Sequence, residues 1–317
     1  MPASILLIDT LHDSFTTLLE DAGCKVIPAY DWSREKVLAG INQYQGLAIR
    51  SRFKIDAAFI SHCSTLKCIA RAGAGMENID LQSAAAAGIT CVNAPEGNRS
   101  AVGEHALGML LMLNNHLLRA DREVREGLWR REENRGTELE GKTIGMVGFG
   151  QMGSAFAQRL QGFGARLLAL DPYVKIDSQK FPYVEQCDEA LFFGECDVVS
   201  LHVPLTHETK YMVNDAWLNR FSKTITLVNT ARGKNIDTAA LVRALGSGKV
   251  RGAALDVLEY ETLSFEDIAA GELPAPFQYL RTSERVVLSP HIGGWTHESN
   301  EKIARVLAQK MLAVLKP

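Results

Sequence analysis

The sequence predicts an α/β protein built from two doubly wound parallel sheets. Three observations carry that prediction. Over residues 1–98 short apolar runs alternate with helical patterns, the arrangement that covers a parallel sheet on both faces. The same alternation restarts at Lys142 and opens there with a glycine-rich turn. At 317 residues the chain has room for about two cores of ordinary size.

In the first region Ser4–Ile8, Lys25–Ile27, Leu47–Ile49, Leu66–Ala70 and Thr90–Val92 read as strands. Asp13–Ala22, Ser33–Asn42, Asp56–Ile60 and Asp80–Ala87 read as the helices between them, the last with Asp80 as N-cap and Gly88 as its stop. A long helix is expected over about Ala101 to Val124, apolar almost all round between His105 and Leu118 and therefore buried, in the chain or against a second copy. The charged run Arg122–Glu140 reads as a solvated connecting segment. From Lys142 the expected order is strand Thr143–Val147, helix Ser154–Phe163 and strand Arg166–Leu170. Strands at Val198–His202, Thr226–Asn229, Gly252–Asp256 and Val286–Leu288 follow, and a last helix runs from about Glu298 to Leu315. That helix should pack back on the first domain, which predicts domains of 1–98 with 286–317 and of 99–285.

Composition excludes several classes. A net charge of −3 with no basic block argues against nucleic acid as a partner. The longest apolar stretch, Ala106 to Leu113, falls far short of the roughly 20 residues a membrane span needs. No leader pattern opens the chain, and its six cysteines are scattered without a Cys-x-x-Cys pair. A cytoplasmic protein with reduced thiols and no metal is expected.

Gly148-Phe-Gly-Gln-Met-Gly153 follows an apolar strand and opens a helix, and Asp171 follows Gly153 by 18 residues, near the roughly 20 of a dinucleotide fingerprint. Gly148 permits the tight turn, Gly150 lets a pyrophosphate approach, and Gly153 allows close helix–strand packing. The helix start, with Gln151 and Met152, offers N–H donors and a favourable dipole. Asp171 should accept from ribose hydroxyls and repel a 2′-phosphate, which favours NAD over NADP.

Three polar residues downstream stand at the edges of apolar runs: Arg232 in LVNTARG, Glu261 in AALDVLEYE and His291 in VVLSPHIGG. A guanidinium at a strand end can fork onto a carboxylate, although a structural ion pair would look the same. An imidazole titrates near neutrality and suits proton exchange, and a carboxylate such as Glu261 favours its charged form. A lone histidine is more often structural, so the combination carries the signal.

With these residues in hand, the chain resembles the D-2-hydroxyacid dehydrogenase family, and most of all its 3-phosphoglycerate dehydrogenase branch in a short form without C-terminal regulatory domains. The similar stretches are ARAGAGMENIDL (70–81), NAPEGNRSAVGEHALGMLL (93–111), GTELEGKTIGMVGFGQMG (136–153), VNTARG (228–233), AALDVLEYE (253–261) and SPHIGG (289–294). The resemblance implies a Rossmann NAD-binding domain inserted into a flavodoxin-like substrate domain. It implies His291 as acid/base, Glu261 as its partner and Arg232 on the substrate carboxylate. It places NAD against Gly148, Gly150, Gln151, Met152, Gly153, Asp171, Pro204, Thr230, Ala231, Asp256, Gly293 and Gly294. His105, by contrast, reads as a core or interface residue.

For the substrate, the resemblance implies Arg50 and Ser51, and Arg131 from a second subunit, at a phosphate, with Gly73, Ala74 and Gly75 at the carboxylate. Surface ion pairs are the alternative reading of the arginines. The expected reaction is hydride transfer between NAD and C2 of a D-2-hydroxy acid, with 3-phospho-D-glycerate first and hydroxypyruvate or glyoxylate next. An NAD(H)-sensing, corepressor-like binding protein is the reading from another class. A homodimer through the 101–124 helix is also implied. Ala74 stands where some members carry a hydroxyl residue, Thr262 where proline is usual, and Trp295 where a small residue is usual. The interval from Glu261 to His291 is longer than usual, and its insert 262–285, with Trp295, reads as a lid that shapes substrate choice or as a surface loop.

Overall fold

A computed structural model describes residues 2–261 and 273–315. In chain order the elements are β1 (Ser4–Leu7), α1 (Ser14–Asp21), β2 (Lys25–Pro28), α2 (Arg34–Gly40), β3 (Gly46–Ile49), α3 (Ala57–Ser61), β4 (Cys68–Arg71), α4 (Leu81–Ala86) and β5 (Thr90–Asn93). Next come α5 (Pro95–Asn114), α6 (Leu117–Arg125), β6 (Thr143–Val147), α7 (Gln151–Arg159), β7 (Arg166–Leu170), β8 (Val184–Gln186), α8 (Glu189–Glu195) and β9 (Val198–Leu201). The chain ends through α9 (Asp215–Asn219), β10 (Ile225–Asn229), α10 (Thr238–Ser247), β11 (Val250–Leu255), α11 (Ala275–Thr282), β12 (Val286–Leu288) and α12 (His297–Leu315).

The chain divides into two units, one of the described residues 2–99 with 295–315 and one of 100–261 with 273–294. The first holds a parallel sheet in the order β2-β1-β3-β4-β5. Its strands alternate sides with period two. Ile5, Leu7, Ala48 and Ala70 face a core shared with α1 and α12, through Phe15, Leu19, Leu307 and Met311. Leu6, Leu47, Ile49 and Ile69 face the opposite core with Val37, Phe59 and Ile60. The chain reverses direction across the sheet between β1 and β3, and an open α/β sheet leaves a ligand crevice at such a point, beyond the strands' carboxyl ends.

The second unit holds a parallel sheet in the order β12-β11-β10-β9-β6-β7-β8, with its reversal between β6 and β9. Phe192, Leu218, Leu241 and Leu280 pack on one face, and Met109, Leu110, Phe156 and Leu160 on the other. Because β12 pairs with β11 from Val286 to Leu288, residues 286–294 belong here, which moves the expected domain boundary from 285 to 294.

Two other expectations change. The single long helix begins earlier, at Pro95, and breaks into α5 and α6 at His116, whose φ is 52°. Asn114 and Asn115 precede the break, and asparagine side chains compete for helix backbone groups. Leu117 and Leu118, expected buried, are exposed. Of the interval expected to form a lid or loop, 262–272 lies outside the described residues, while 275–282 is α11, with Phe277 and Leu280 buried and Phe277 edge-on to Tyr260 at 5.7 Å. That half is therefore part of the core. No helix among the described residues is long and apolar enough to cross a membrane.

Candidate active site

Strands β12, β11 and β10 are neighbours and run parallel, so their carboxyl ends emerge side by side. His291 leaves the end of β12 with φ 56°, a left-handed conformation that costs a residue with a Cβ about 1 kcal/mol or more. Asp256, at the end of β11, holds it there. The Asp256 carbonyl accepts from His291 N at 2.7 Å. Its carboxylate accepts from Ser289 Oγ at 2.7 Å, Ile292 N at 2.9 Å and Gly293 N at 2.8 Å. His105 Nε2 lies 3.0 Å from Ser289 Oγ and 3.2 Å from Asp256 Oδ1, so this histidine supports the loop. A Cβ on Gly293 would stand 2.8 Å from Asp256 Oδ2, which only glycine avoids. Asp256 is 2% exposed. Burial raises its carboxyl pKa, but hydrogen bonds from His105, Ser289 and Ile292 N outweigh burial and leave it below the ordinary value of 3.8.

His291 Nδ1 lies 2.7 Å from Glu261 Oε2, with side-chain exposures of 24% and 15%. An ionised carboxylate only accepts, so Nδ1 carries the proton and Nε2 is the ring nitrogen that can take up a second one. Glu261 is fixed in turn, since a carboxylate oxygen accepts from Leu258 N and its own N–H donates to Leu258 O at 3.3 Å.

Arg232 follows β10 on a turn organised by two buried asparagines. Asn229 donates to the Arg232 carbonyl at 2.9 Å and accepts from Ala231 N at 3.0 Å, and Arg232 N donates to Asn235 Oδ1 at 3.0 Å. A Cβ on Gly233 would stand 2.0 Å from the Leu258 carbonyl, so the Arg232 turn rests directly on the turn that carries Glu261. All three expected catalytic residues thus sit on adjoining loops of one sheet edge.

The glycine turn lies at the reversal between β6 and β9. Gly148 has φ 89° and stands against His202 O, while a Cβ on Gly153 would fall 2.2 Å from the Gly148 carbonyl. At Gly150 a Cβ would meet nothing within 4 Å, so the backbone there borders open space. Gln151 and Met152 begin α7. Asp171 accepts from Phe149 N at 2.7 Å and from Tyr173 N and Val174 N, and so ties the turn to the end of β7. Oδ1 takes both of the latter bonds, while Oδ2 keeps a second lone pair for a ribose hydroxyl. Thr230 Oγ1 is buried without a hydrogen-bond partner among the described residues. A dinucleotide fits these features, and Gly150 and the α7 N-terminus are the groups that would hold its pyrophosphate. Pro204 is exposed just after β9.

In the first unit Arg50 and Ser51 follow β3, and both backbone N–H groups donate to Asp9 Oδ2, at 2.5 and 3.2 Å. Gly73 has φ 138° and its carbonyl accepts from Ala94 N at 3.0 Å, while the Ala74 carbonyl accepts from Asn93 Nδ2 at 2.5 Å. Gly75 completes that loop. Arg131 is exposed in the second unit. Sequence reasoning missed Arg71, a buried cation whose Nη1 lies so close over Gly73 that a Cβ there would stand 1.9 Å from it. The signal was present, because Arg71 closes an apolar strand much as Arg232 does.

Residues 107–293 match the family model described as D-isomer specific 2-hydroxyacid dehydrogenase, NAD binding domain. D-3-phosphoglycerate dehydrogenase of Archaeoglobus fulgidus is 33% identical over 98% of this chain and 57% of its own length. The chain therefore spans little more than half of that relative. Glyoxylate reductase of Thermofilum pendens is 37% identical over 90% of this chain and 83% of its own length. Among solved structures, D-lactate dehydrogenase of Aquifex aeolicus, complexed with NAD and lactic acid, is 28% identical with a TM-score of 0.84, covering 99% of this chain and 95% of that one.

Proposed function

Since the chain belongs to the D-isomer specific 2-hydroxyacid dehydrogenase family, we propose that it is an NAD-dependent oxidoreductase acting at C2 of a D-2-hydroxy acid. The observation that carries this reading is the His291–Glu261 hydrogen bond of 2.7 Å on the loop next to Arg232. NAD, when bound, accepts or returns a hydride. The protein's part is to bind, orient and move the proton. In the oxidative direction neutral His291 takes the hydroxyl proton at Nε2, and Glu261 stabilises the imidazolium that forms. In reduction the imidazolium returns that proton to the oxygen on C2. The Arg232 guanidinium binds the substrate carboxylate with paired N–H donors. Gly148, Gly150, Gln151, Met152, Gly153, Asp171 and Pro204 take the pyrophosphate and adenosine half of NAD. Thr230, Ala231, Asp256, Gly293 and Gly294 border its nicotinamide half.

We assign the substrate role to the first unit and the NAD role to the second. Among substrates, 3-phospho-D-glycerate and its 2-oxo partner lead, on the strength of Arg50 and Ser51, with Arg131 from a second subunit and Gly73, Ala74 and Gly75 at the carboxylate. Glyoxylate or hydroxypyruvate is the second reading, favoured by the Thermofilum pendens relative. The proposed assembly is a homodimer through the α5–α6 region, where Leu117, Leu118, Val124 and Trp129 are exposed together. Cytoplasmic residence is proposed from the free cysteines.

The test follows NADH absorbance with phosphohydroxypyruvate, hydroxypyruvate, glyoxylate and pyruvate. The proposal predicts turnover, fastest at low concentration of phosphohydroxypyruvate. Turnover of none, with NADH still bound, would replace the enzyme by an NAD(H) sensor.

A further inference from the structure

Trp295 is 68% exposed, an unusual placement for the largest apolar side chain. It is not loosely held. It directly precedes a reciprocal cap at the start of α12, in which Thr296 N donates to Ser299 Oγ and Ser299 N donates to Thr296 Oγ1, each at 3.0 Å. Helix α12 is anchored in the first unit's core by Ala304, Leu307, Ala308 and Met311. The indole is thus carried on a rigid mount. Over its face lies the Arg50 guanidinium, with its carbon 4.7 Å from the ring centroid.

Arg50 is held at both ends. Its backbone N–H and that of Ser51 donate to Asp9, at the end of β1, and its Nη2 stands 3.5 Å from Asn300 Oδ1 on α12. Asn78 Nδ2 donates to the Arg50 carbonyl at 3.3 Å. This arrangement occupies the sheet reversal between β1 and β3, where an open α/β sheet accepts ligands. A guanidinium stacked on an aromatic ring spends its face on the ring and keeps its in-plane N–H groups for a planar or tetrahedral anion.

We propose that Trp295 is a specificity-determining residue that acts through Arg50. It holds the guanidinium flat, with its N–H edge presented to the phosphate of a phosphorylated 2-hydroxy acid. The inference rests on the reading of the chain as a binder of such acids, and it makes Trp295 a positioning residue. Removing the ring frees Arg50 to sample other rotamers, which weakens phosphate binding and spares the chemistry at C2.

The test is calorimetric titration of D-3-phosphoglycerate and of D-glycerate onto the NAD-loaded protein, for the parent, Trp295→Ala and Trp295→Phe. The parent should prefer the phosphorylated acid by about tenfold or more. Trp295→Ala should weaken D-3-phosphoglycerate by about three- to tenfold and leave D-glycerate nearly unchanged. Trp295→Phe, which keeps an aromatic face, should restore most of the loss. In turnover, Trp295→Ala should raise KM for phosphohydroxypyruvate with little change in kcat. Equal weakening of both acids, no weakening of either, or no preference in the parent would each overturn the proposal. Loss of turnover with every 2-oxo acid, beside an intact binding preference, would instead sink the dehydrogenase reading and leave this one standing.

Discussion

His291 occupies a backbone conformation that its own Cβ disfavours, and Asp256 supplies the hydrogen bonds that hold it there. The ends of the apolar runs made Arg232, Glu261, His291 and the turn glycines legible in the sequence. The clamp was not legible, because whether Asp256 meets Ser289, Ile292 and Gly293 depends on the pairing of β11 with β12. Asp9 escaped for the same reason, since its contacts to Arg50 and Ser51 depend on β1 lying beside β3. Asp256→Asn should destabilise the protein at neutral pH by about 2 kcal/mol, since the hydrogen bonds its carboxylate accepts are charge-assisted. The folded carboxyl lies below its ordinary value of 3.8. Its contribution is therefore full above the unfolded value and is lost as pH falls through the folded one. Thermal midpoints at pH 7 and near pH 3 should show the variant well below the parent at pH 7 and closer to it in acid. An equal gap at both pH values would mean that the Asp256 charge does not stabilise the fold.

Among the elements, the strands buried on both faces were legible because uninterrupted apolar runs announce them. β8 was not, since only Val184 of its three residues is buried and it lies at the sheet's edge. The break between α5 and α6 falls at Asn114-Asn115-His116, a polar interruption too short to stand out from the apolar residues on either side. That break changes what the region presents. Leu117, Leu118 and Val124 of α6 are exposed, as is Trp129 four residues beyond it. Light scattering should therefore give twice the monomer mass, and Leu117→Asp with Leu118→Asp should shift it toward the monomer. A monomeric parent at micromolar concentration would remove the dimer from the proposal.

At the scale of the whole molecule, two parallel sheets each reverse once, and each reversal collects polar residues. Between β1 and β3 these are Asp9, Arg50 and Ser51, and between β6 and β9 they are the glycine turn and Pro204. Alternation of strand and helix was enough to predict two doubly wound sheets. It was not enough to place residues 286–294, which continue the second sheet before the chain returns to the first unit. Substrate choice is the least legible property, since the side chains proposed for it, Arg50 and Trp295, are marked by no periodicity. The central claim is that His291 exchanges the substrate's proton while the glycine turn independently holds NAD. His291→Gln tests it most directly, with NADH affinity by fluorescence titration and kcat measured on the same preparation. The account predicts a fall in kcat of about 10²–10⁴ with NADH affinity nearly unchanged. A kcat within a few-fold of the parent's would contradict it.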